Sequence, residues 1–359
     1  EFLVEQKKSV LPRWLSVIVG VVFIFSGVVV SLLVYGSIQA FMDQPLNPLA
    51  EAAEGVSQVN LNPLPQAGIV PIPTVAEGET LPTAIPTSEI LADSERVNIL
   101  VMGIDRRPGE PFISRTDTMM LVSVDTQDKE ASILSIPRDL YVVIPGFGRD
   151  RINTAFVYGS AGNNPAGGAE LAKQTVEYNL GVTVQHYVMV DFNAVTQGID
   201  LLGGIDLTVP YEIYDPTFPD MNYGYDPFYI GAGYQHLDGE TALKYARTRH
   251  TDNDFNRARR QQQVLLATRD KVLGLGASSL IDRAPELLQQ FGQTYRTDLS
   301  LGDVIELARV GASIPDENIR NEVLDQNYVS GYLTDAGASV LIPLNDQIAP
   351  LLQELYYSE

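Results

Sequence analysis

The chain has 359 residues, of which 45% are hydrophobic, enough for one large domain or two ordinary ones. It contains no cysteine, which removes disulfide frameworks, thiolate zinc sites and cysteine nucleophiles together. A net charge of −21 argues against nucleic acid as a partner, since that affinity rests on neutralising phosphates, and the three histidines (His186, His236, His250) lack metal-ligand spacing, so no zinc site is expected.

Residues 1–13 form a short basic segment, with Lys7, Lys8 and Arg13. Residues 14–42 hold no charged side chain, and "WLSVIVGVVFIFSGVVVSLLVYG" has the apolar length of a membrane-spanning helix. A cleaved signal peptide is the rival reading, but its apolar core would be shorter and a small-residue cleavage site would follow. The next basic residue is Arg96, so the positive-inside rule puts the N-terminus in the cytoplasm and the rest outside the cell membrane. Residues 43–95 carry eight prolines and no base, the composition of an extended linker that cannot fold alone.

From residue 97 the pattern becomes globular, and one domain is expected over 97–358. "VNILVMG", "DTMMLVSVD" and "EASILSIP" predict strands, the last two joined by the turn "TQDK". Helical period and a glycine stop predict a helix over 169–181; "VQHYVMV" predicts a strand; Asp191 can cap a helix at "FNAVTQGIDLLGG", before a further strand at "IDLTVP". Residues 211–235 are expected to form a long loop. Helices are predicted at "LDGETALKYAR", capped by Asp238, and at 254–273, 279–291 and 300–310, where Ser300 and Asp303 have capping-box spacing. The alternation predicts an α/β fold, a mixed sheet with helices on its faces.

Lysine supplies only six of the 24 basic residues, so beyond the linker the positive charge is nearly all guanidinium. Arginine offers planar paired donors that match phosphate oxygens. Arg106, Arg107, Arg115, Arg138, Arg149 and Arg151 fall at strand ends or in the loops after them, where a sheet scaffold presents binding groups. Arg247 and Arg249 lie two apart at the end of one element and, if extended, point the same way; Arg259 and Gln263 share a face of the next helix, and Arg257 shares a face with Arg260. Asp105 and Asp117 each lie within two residues of an arginine. They suit a divalent cation shared with a pyrophosphate, and they equally suit ion pairs that orient the arginines. Nucleotide-binding glycine loops and serine-hydrolase elbows are absent.

The ordered blocks "NILVMGIDRR", "SRTDTMMLVSVD", "ILSIPRDLYVVIPGFGRDRINTAFVYG", "YVMVDFNAVTQGIDLLGGIDLTVP", "LDGETALKYARTRH" and "DFNRARRQQQVL" resemble the LytR–CpsA–Psr family of bacterial cell-envelope proteins. The resemblance implies a three-layer α/β/α domain behind one N-terminal transmembrane helix. It implies a phosphotransferase that moves a glycopolymer from a polyprenyl-pyrophosphate donor onto peptidoglycan, with an apolar channel for the lipid. It further implies Mg2+ (or Mn2+) at Asp105 and Asp117, and pyrophosphate bound by Arg107, Arg115, Arg138, Arg151, Arg247, Arg249, Arg259 and Gln263. Catalysis is expected of Arg138, Asp117, Arg115, Arg247 and Arg249, with Gln261 and Gln262 pointing elsewhere. A polyprenyl-pyrophosphate phosphatase and a non-enzymatic lipid-pyrophosphate regulator are the alternatives.

Overall fold

The computed structural model describes residues 96–106, 110–220, 224–249, 253–276 and 291–356; the expected span at 14–42, the linker at 43–95 and most of the expected helix at 279–291 lie outside them. Among the described residues no helix is long and apolar enough to cross a membrane. The elements run β1 (Arg96–Ile104), β2 (Thr116–Asp125), β3 (Glu130–Ser135), β4 (Tyr141–Ile144), β5 (Gly148–Arg151), α1 (Ala155–Gly159), α2 (Pro165–Leu180), β6 (His186–Asp191), α3 (Phe192–Leu201) and β7 (Ile205–Val209). They continue with β8 (Ile213–Asp215), β9 (Phe228–Ile230), β10 (Gly233–Leu237), α4 (Gly239–Arg247), α5 (Asp254–Leu275), β11 (Tyr295–Thr297) and α6 (Leu301–Ser313). Last come β12 (Ile319–Val323), β13 (Val329–Leu333), β14 (Ser339–Pro343) and α7 (Asn345–Tyr356).

Six strands form the central sheet in the order β11-β6-β1-β2-β3-β12. β1 pairs with β6, and β3 with β12, in parallel, while β1–β2, β2–β3 and β6–β11 are antiparallel, so the sheet is mixed as expected. Register aligns Tyr187, Leu100, Leu121 and Leu134 across four strands. Side chains directly opposite share a face, and this row meets Ala169, Ala172 and Val176 of α2 and Ile348 and Leu352 of α7 in one buried cluster. Ser135 follows Leu134 and so faces the other way. Its hydroxyl accepts from the Gln262 amide at 2.9 Å, which puts α5 on the opposite face.

A smaller core joins α3 and α4 to β7–β10 through Ile199, Leu207, Ile213, Phe228, Ile230 and Tyr245. Residues 211–235, expected as a loop, instead contain β8, β9 and the start of β10. Strands of three residues are too short to leave a detectable alternation. The caps are as expected: Asp191 accepts from the Ala194 amide at 3.0 Å, Asp238 from Thr241 at 2.8 Å, and Ser300 with Asp303 forms a reciprocal capping box.

Candidate functional site

The parallel strands β1, β3, β6 and β12 all point the same way, so Asp105, Arg138, Asp191 and Asp325 gather near their carboxyl ends. Antiparallel β2 delivers its first residues, including Asp117, to that same edge. In open α/β sheets this edge is where ligands bind.

Arg138 is the centre of the group. Pro137 lacks an N–H and cannot extend the ladder of β3, so the chain leaves the sheet with Arg138 just beyond its end. The Arg138 guanidinium hydrogen-bonds the Asp117 carboxylate, and its Nε lies 3.5 Å from both Asp139 and Asp254. Burial pulls its pKa down, but Asp117 foremost, with Asp254 and Asp139, more than offsets this and holds it above its ordinary value.

Asn253 starts α5 by accepting from the Asn256 amide at 3.0 Å. That fixes Asp254 in the first turn, facing Arg138. Asp254 also receives Arg249, at 3.4 Å, and Arg257, at 3.1 Å. Buried Arg257 donates in addition to the Asp117 carbonyl at 3.1 Å, and burial pushes its guanidinium down to about 10. Arg247, the last residue of α4, stacks over Phe192 at 4.0 Å and lies 5.3 Å from the Phe218 ring, with Asp105 3.7 Å away. Burial lowers its pKa, against the pull of Asp105 and Asp117.

The structure thus brings Asp105, Asp117, Arg138, Arg247 and Arg249 together. Arg151 joins through Asp139, at 3.2 Å, and donates to the Ser339 carbonyl at 2.8 Å. Arg115 is exposed, and its charge is felt by Tyr158. Arg107 lies outside the described residues. Arg259 and Gln263 are not joined to that network by the ion pairs and hydrogen bonds described. With 100° of turn per residue they stand on the side of α5 away from Asp254 and Arg257. Arg259 binds Asp325 and Asn256, Gln263 accepts from the Tyr245 hydroxyl at 2.7 Å, and both line a separate cleft with Pro210, Tyr211 and Glu322.

Two residues outside the sequence expectation take the facing side instead. Arg257 is one; Gln261, one turn on, donates to the Ala246 carbonyl at 3.3 Å, beside Arg247. The signal was present in the sequence: Asp254, Arg257 and Gln261 have the i, i+3, i+7 spacing of one helical face. Gln262 is also not idle. It is buried between β3 and β12, donating to Ser135 Oγ and, at 2.7 Å, to the Glu322 carbonyl.

The ion pairs connect five arginines (138, 151, 247, 249, 257) with four aspartates (105, 117, 139, 254), leaving a single net positive charge if the bridging coulombic contact of Asp117 with Arg247 is included. A pyrophosphate diester brings more negative charge than that. Asp105, with 46% of its side chain exposed, and Asp117 offer hard oxygen donors that fit a divalent cation completing its shell with phosphate and water. Among the described residues no group of three or more acids and histidines forms an all-protein metal cage.

The LytR_cpsA_psr family model matches residues 74–356. The chain belongs to this family. It is 29% identical over 300 residues to the polyisoprenyl-teichoic acid–peptidoglycan teichoic acid transferase TagU of Oceanobacillus iheyensis, covering 83% of this chain and 80% of the relative. It is 30% identical over 306 residues to the transferase of the same description, TagT, of Bacillus subtilis, covering 84% and 83%. A solved structure of TagT bound to LI-WTA superposes with a TM-score of 0.57 at 30% identity, over 73% of this chain and 89% of that one.

Proposed function

We propose that this family member is a membrane-anchored phosphotransferase that moves a glycopolymer, of the teichoic acid or capsule kind, from a polyprenyl-pyrophosphate carrier onto peptidoglycan, with its N-terminus cytoplasmic and its domain outside. The observation that carries this is the arginine–aspartate network centred on Arg138 at the carboxyl edge of the sheet. The relatives named as teichoic acid transferases support the direction of transfer.

Phosphoryl transfer asks mainly for positioning and for stabilisation of charge on the moving group. Arg138, Arg247 and Arg257 are partly or fully buried and held by carboxylates, so their donors are preorganised with little rotamer entropy left to lose. An acceptor hydroxyl attacks the phosphorus that bears the glycan. The bond from that phosphorus to the bridging oxygen breaks, and polyprenyl phosphate leaves with the bridging oxygen. The proton of the hydroxyl passes to a carboxylate, for which Asp117 is the candidate. A divalent cation, Mg2+ or Mn2+, held by Asp105 and Asp117 would neutralise charge on the pyrophosphate.

The test is incubation of the full chain in detergent with a lipid-linked glycan, peptidoglycan oligomers and Mg2+. A covalent glycan–peptidoglycan conjugate is expected, and Arg138→Ala should lose it. Glycan phosphate released equally without acceptor would assign a phosphatase instead. Donor binding that does not depend on Arg138, with no conjugate and no release, would leave only a regulator.

A further inference from the structure

Five of the exposed large hydrophobic residues are tyrosines between positions 211 and 234: Tyr211, Tyr214, Tyr225, Tyr229 and Tyr234. Tyr214 and Tyr229 lie on the β8–β9 ladder and Tyr234 on the β7–β10 ladder, while Tyr211 and Tyr225 lie in the connections between these strands. Tyr214 and Tyr229 are directly paired across β8 and β9, each with buried neighbours on both sides, so both rings stand on one face. They are 56% and 63% exposed, and Tyr234 on β10 is 74% exposed. The inner side of the same unit is anchored: Ile213, Phe218, Phe228 and Ile230 pack with Tyr245 and Ala246 of α4, and Phe218 reaches Arg247. Tyr214 and Tyr229 therefore sit on a ledge packed against the helix that ends in a site arginine.

A group of exposed aromatic residues this close in the chain, two of them paired directly across strands, marks a binding surface. Tyrosine, rather than leucine or phenylalanine, gives flat contact area with a hydroxyl at its edge and little rotamer entropy to lose. Charge selects the class of partner. Residues 205–246 contain seven aspartates and glutamates, no arginine and one lysine, Lys244. That lysine is neutralised by Asp226 at 2.5 Å and Glu240 at 2.8 Å. Such a surface repels a polyphosphate chain or an anionic lipid headgroup. An uncharged saccharide, with apolar ring faces for the tyrosines and hydroxyls for Glu212 and its neighbours, is complementary to it.

We infer that the Tyr214–Tyr229–Tyr234 ledge is a docking surface for an uncharged glycan strand, holding the acceptor sugar chain while the arginine site works on its end. The identity of that strand as the acceptor rests on the transferase activity proposed above; the binding of neutral glycan does not.

The probe is a set of peptide-free N-acetylglucosamine oligomers titrated by calorimetry into the full chain in detergent, with binding of a lipid-linked donor measured alongside. Wild type should bind the longer oligomers, and Tyr214→Ala/Tyr229→Ala should weaken binding about tenfold or more, the loss of two stacked rings. Tyr214→Phe/Tyr229→Phe keeps the rings and should fall between the two, with the circular dichroism of all three alike. Donor binding should be unchanged throughout. Absence of oligomer binding by the wild type, or equal binding by the alanine variant, overturns the inference. So does tyrosine-dependent binding to phosphatidylcholine or phosphatidylglycerol vesicles in its place, which would make the ledge a membrane contact. Donor binding separates the two ideas: if it is intact, only the ledge has failed.

Discussion

The guanidinium of Arg247 lies 4.0 Å from the ring centroid of Phe192, so the last residue of α4 is held by the first residue of α3. Phe192 is placed in turn by its neighbour Asp191, which caps α3 and takes Arg106 at 2.6 Å. The ring replaces water on one side of Arg247 without using a hydrogen-bond donor, which leaves the guanidinium edge to Asp105, 3.7 Å away, and to a bound anion.

Phe192→Leu should therefore keep the fold and weaken the site. A partly buried cation–π contact is worth roughly 0.5–2 kcal/mol. The donor dissociation constant is expected to rise about tenfold, with the melting temperature nearly unchanged. Titration of a lipid-linked donor against wild type and variant checks this; equal affinities would mean the ring does not position Arg247.

Gln262→Ala should act on stability instead. The side chain is 1% exposed and donates to Ser135 Oγ and the Glu322 carbonyl, tying α5 to two adjacent strands. Removing it leaves the buried Ser135 hydroxyl and the partly buried Glu322 carbonyl without this donor and opens a void, a cost of about 1–3 kcal/mol. Chemical denaturation is expected to show that loss, while Gln263→Ala, at the half-buried cleft, should show less.

The contrast between Gln261, Gln262 and Gln263 marks where the sequence was legible. The sheet was readable because β1, β2 and β3 have strong apolar runs between turn residues, and Asp191, Asp238 and Ser300 are caps with local geometry. The clustering of Asp105, Asp117, Arg138, Arg247 and Arg249 was readable because they sit at element ends. On α5 the same motif offers two interleaved sets, Arg257 with Gln261 and Arg259 with Gln263, each four apart. Only the orientation of the helix against β3 and β12 selects between them, and that depends on a buried glutamine whose polarity gives no sign of burial. The short strands β8 and β9 were hidden for a different reason, their three-residue length.

Asp298 should make stability depend on acid. It accepts from the Tyr187 amide at 2.9 Å and faces His186, at 3.4 Å, and Lys173, at 3.5 Å. Burial pushes its pKa up, but the His186 contact, the amide bond and Lys173 outweigh this and leave it below the usual carboxylate value. A depressed carboxylate contributes stability that is fully present above the unfolded pKa, near 3.9, and is lost as pH falls through the folded value. Asp298→Asn should flatten the stability profile of the domain below about pH 4. An unchanged acid limb in thermal melts would remove Asp298 from this role.

Asp105→Asn should alter the cation requirement of the proposed reaction. The substitution keeps size but replaces one carboxylate oxygen with an amide nitrogen and removes one of two hard anionic donors. Transfer by the variant is expected to need about tenfold more Mg2+ for half-maximal rate, and chelation should abolish transfer by both proteins. Mg2+ titrations at fixed donor check this. A wild type indifferent to chelation would assign Asp105 to orienting Arg247 alone.

Arg257 offers the sharpest test of which α5 face serves the site. One guanidinium nitrogen reaches both the Asp117 carbonyl and the Asp254 carboxylate, and burial lowers its pKa to about 10. Raising the pH through that value discharges it, so the transfer rate should fall on the alkaline side near pH 10. Arg257→Lys keeps a charge at neutral pH but not the fork that bridges two acceptors. Its ammonium starts from an ordinary value near 10.4 and is lowered further by the same burial. The variant should therefore be slower by about tenfold to a hundredfold at neutral pH, and its alkaline limb should begin at lower pH than that of wild type. Arg259→Lys, on the opposite face, should do neither. A pH–rate profile for the three proteins decides the matter: a shifted limb for Arg259→Lys and none for Arg257→Lys would reverse the assignment of the two faces.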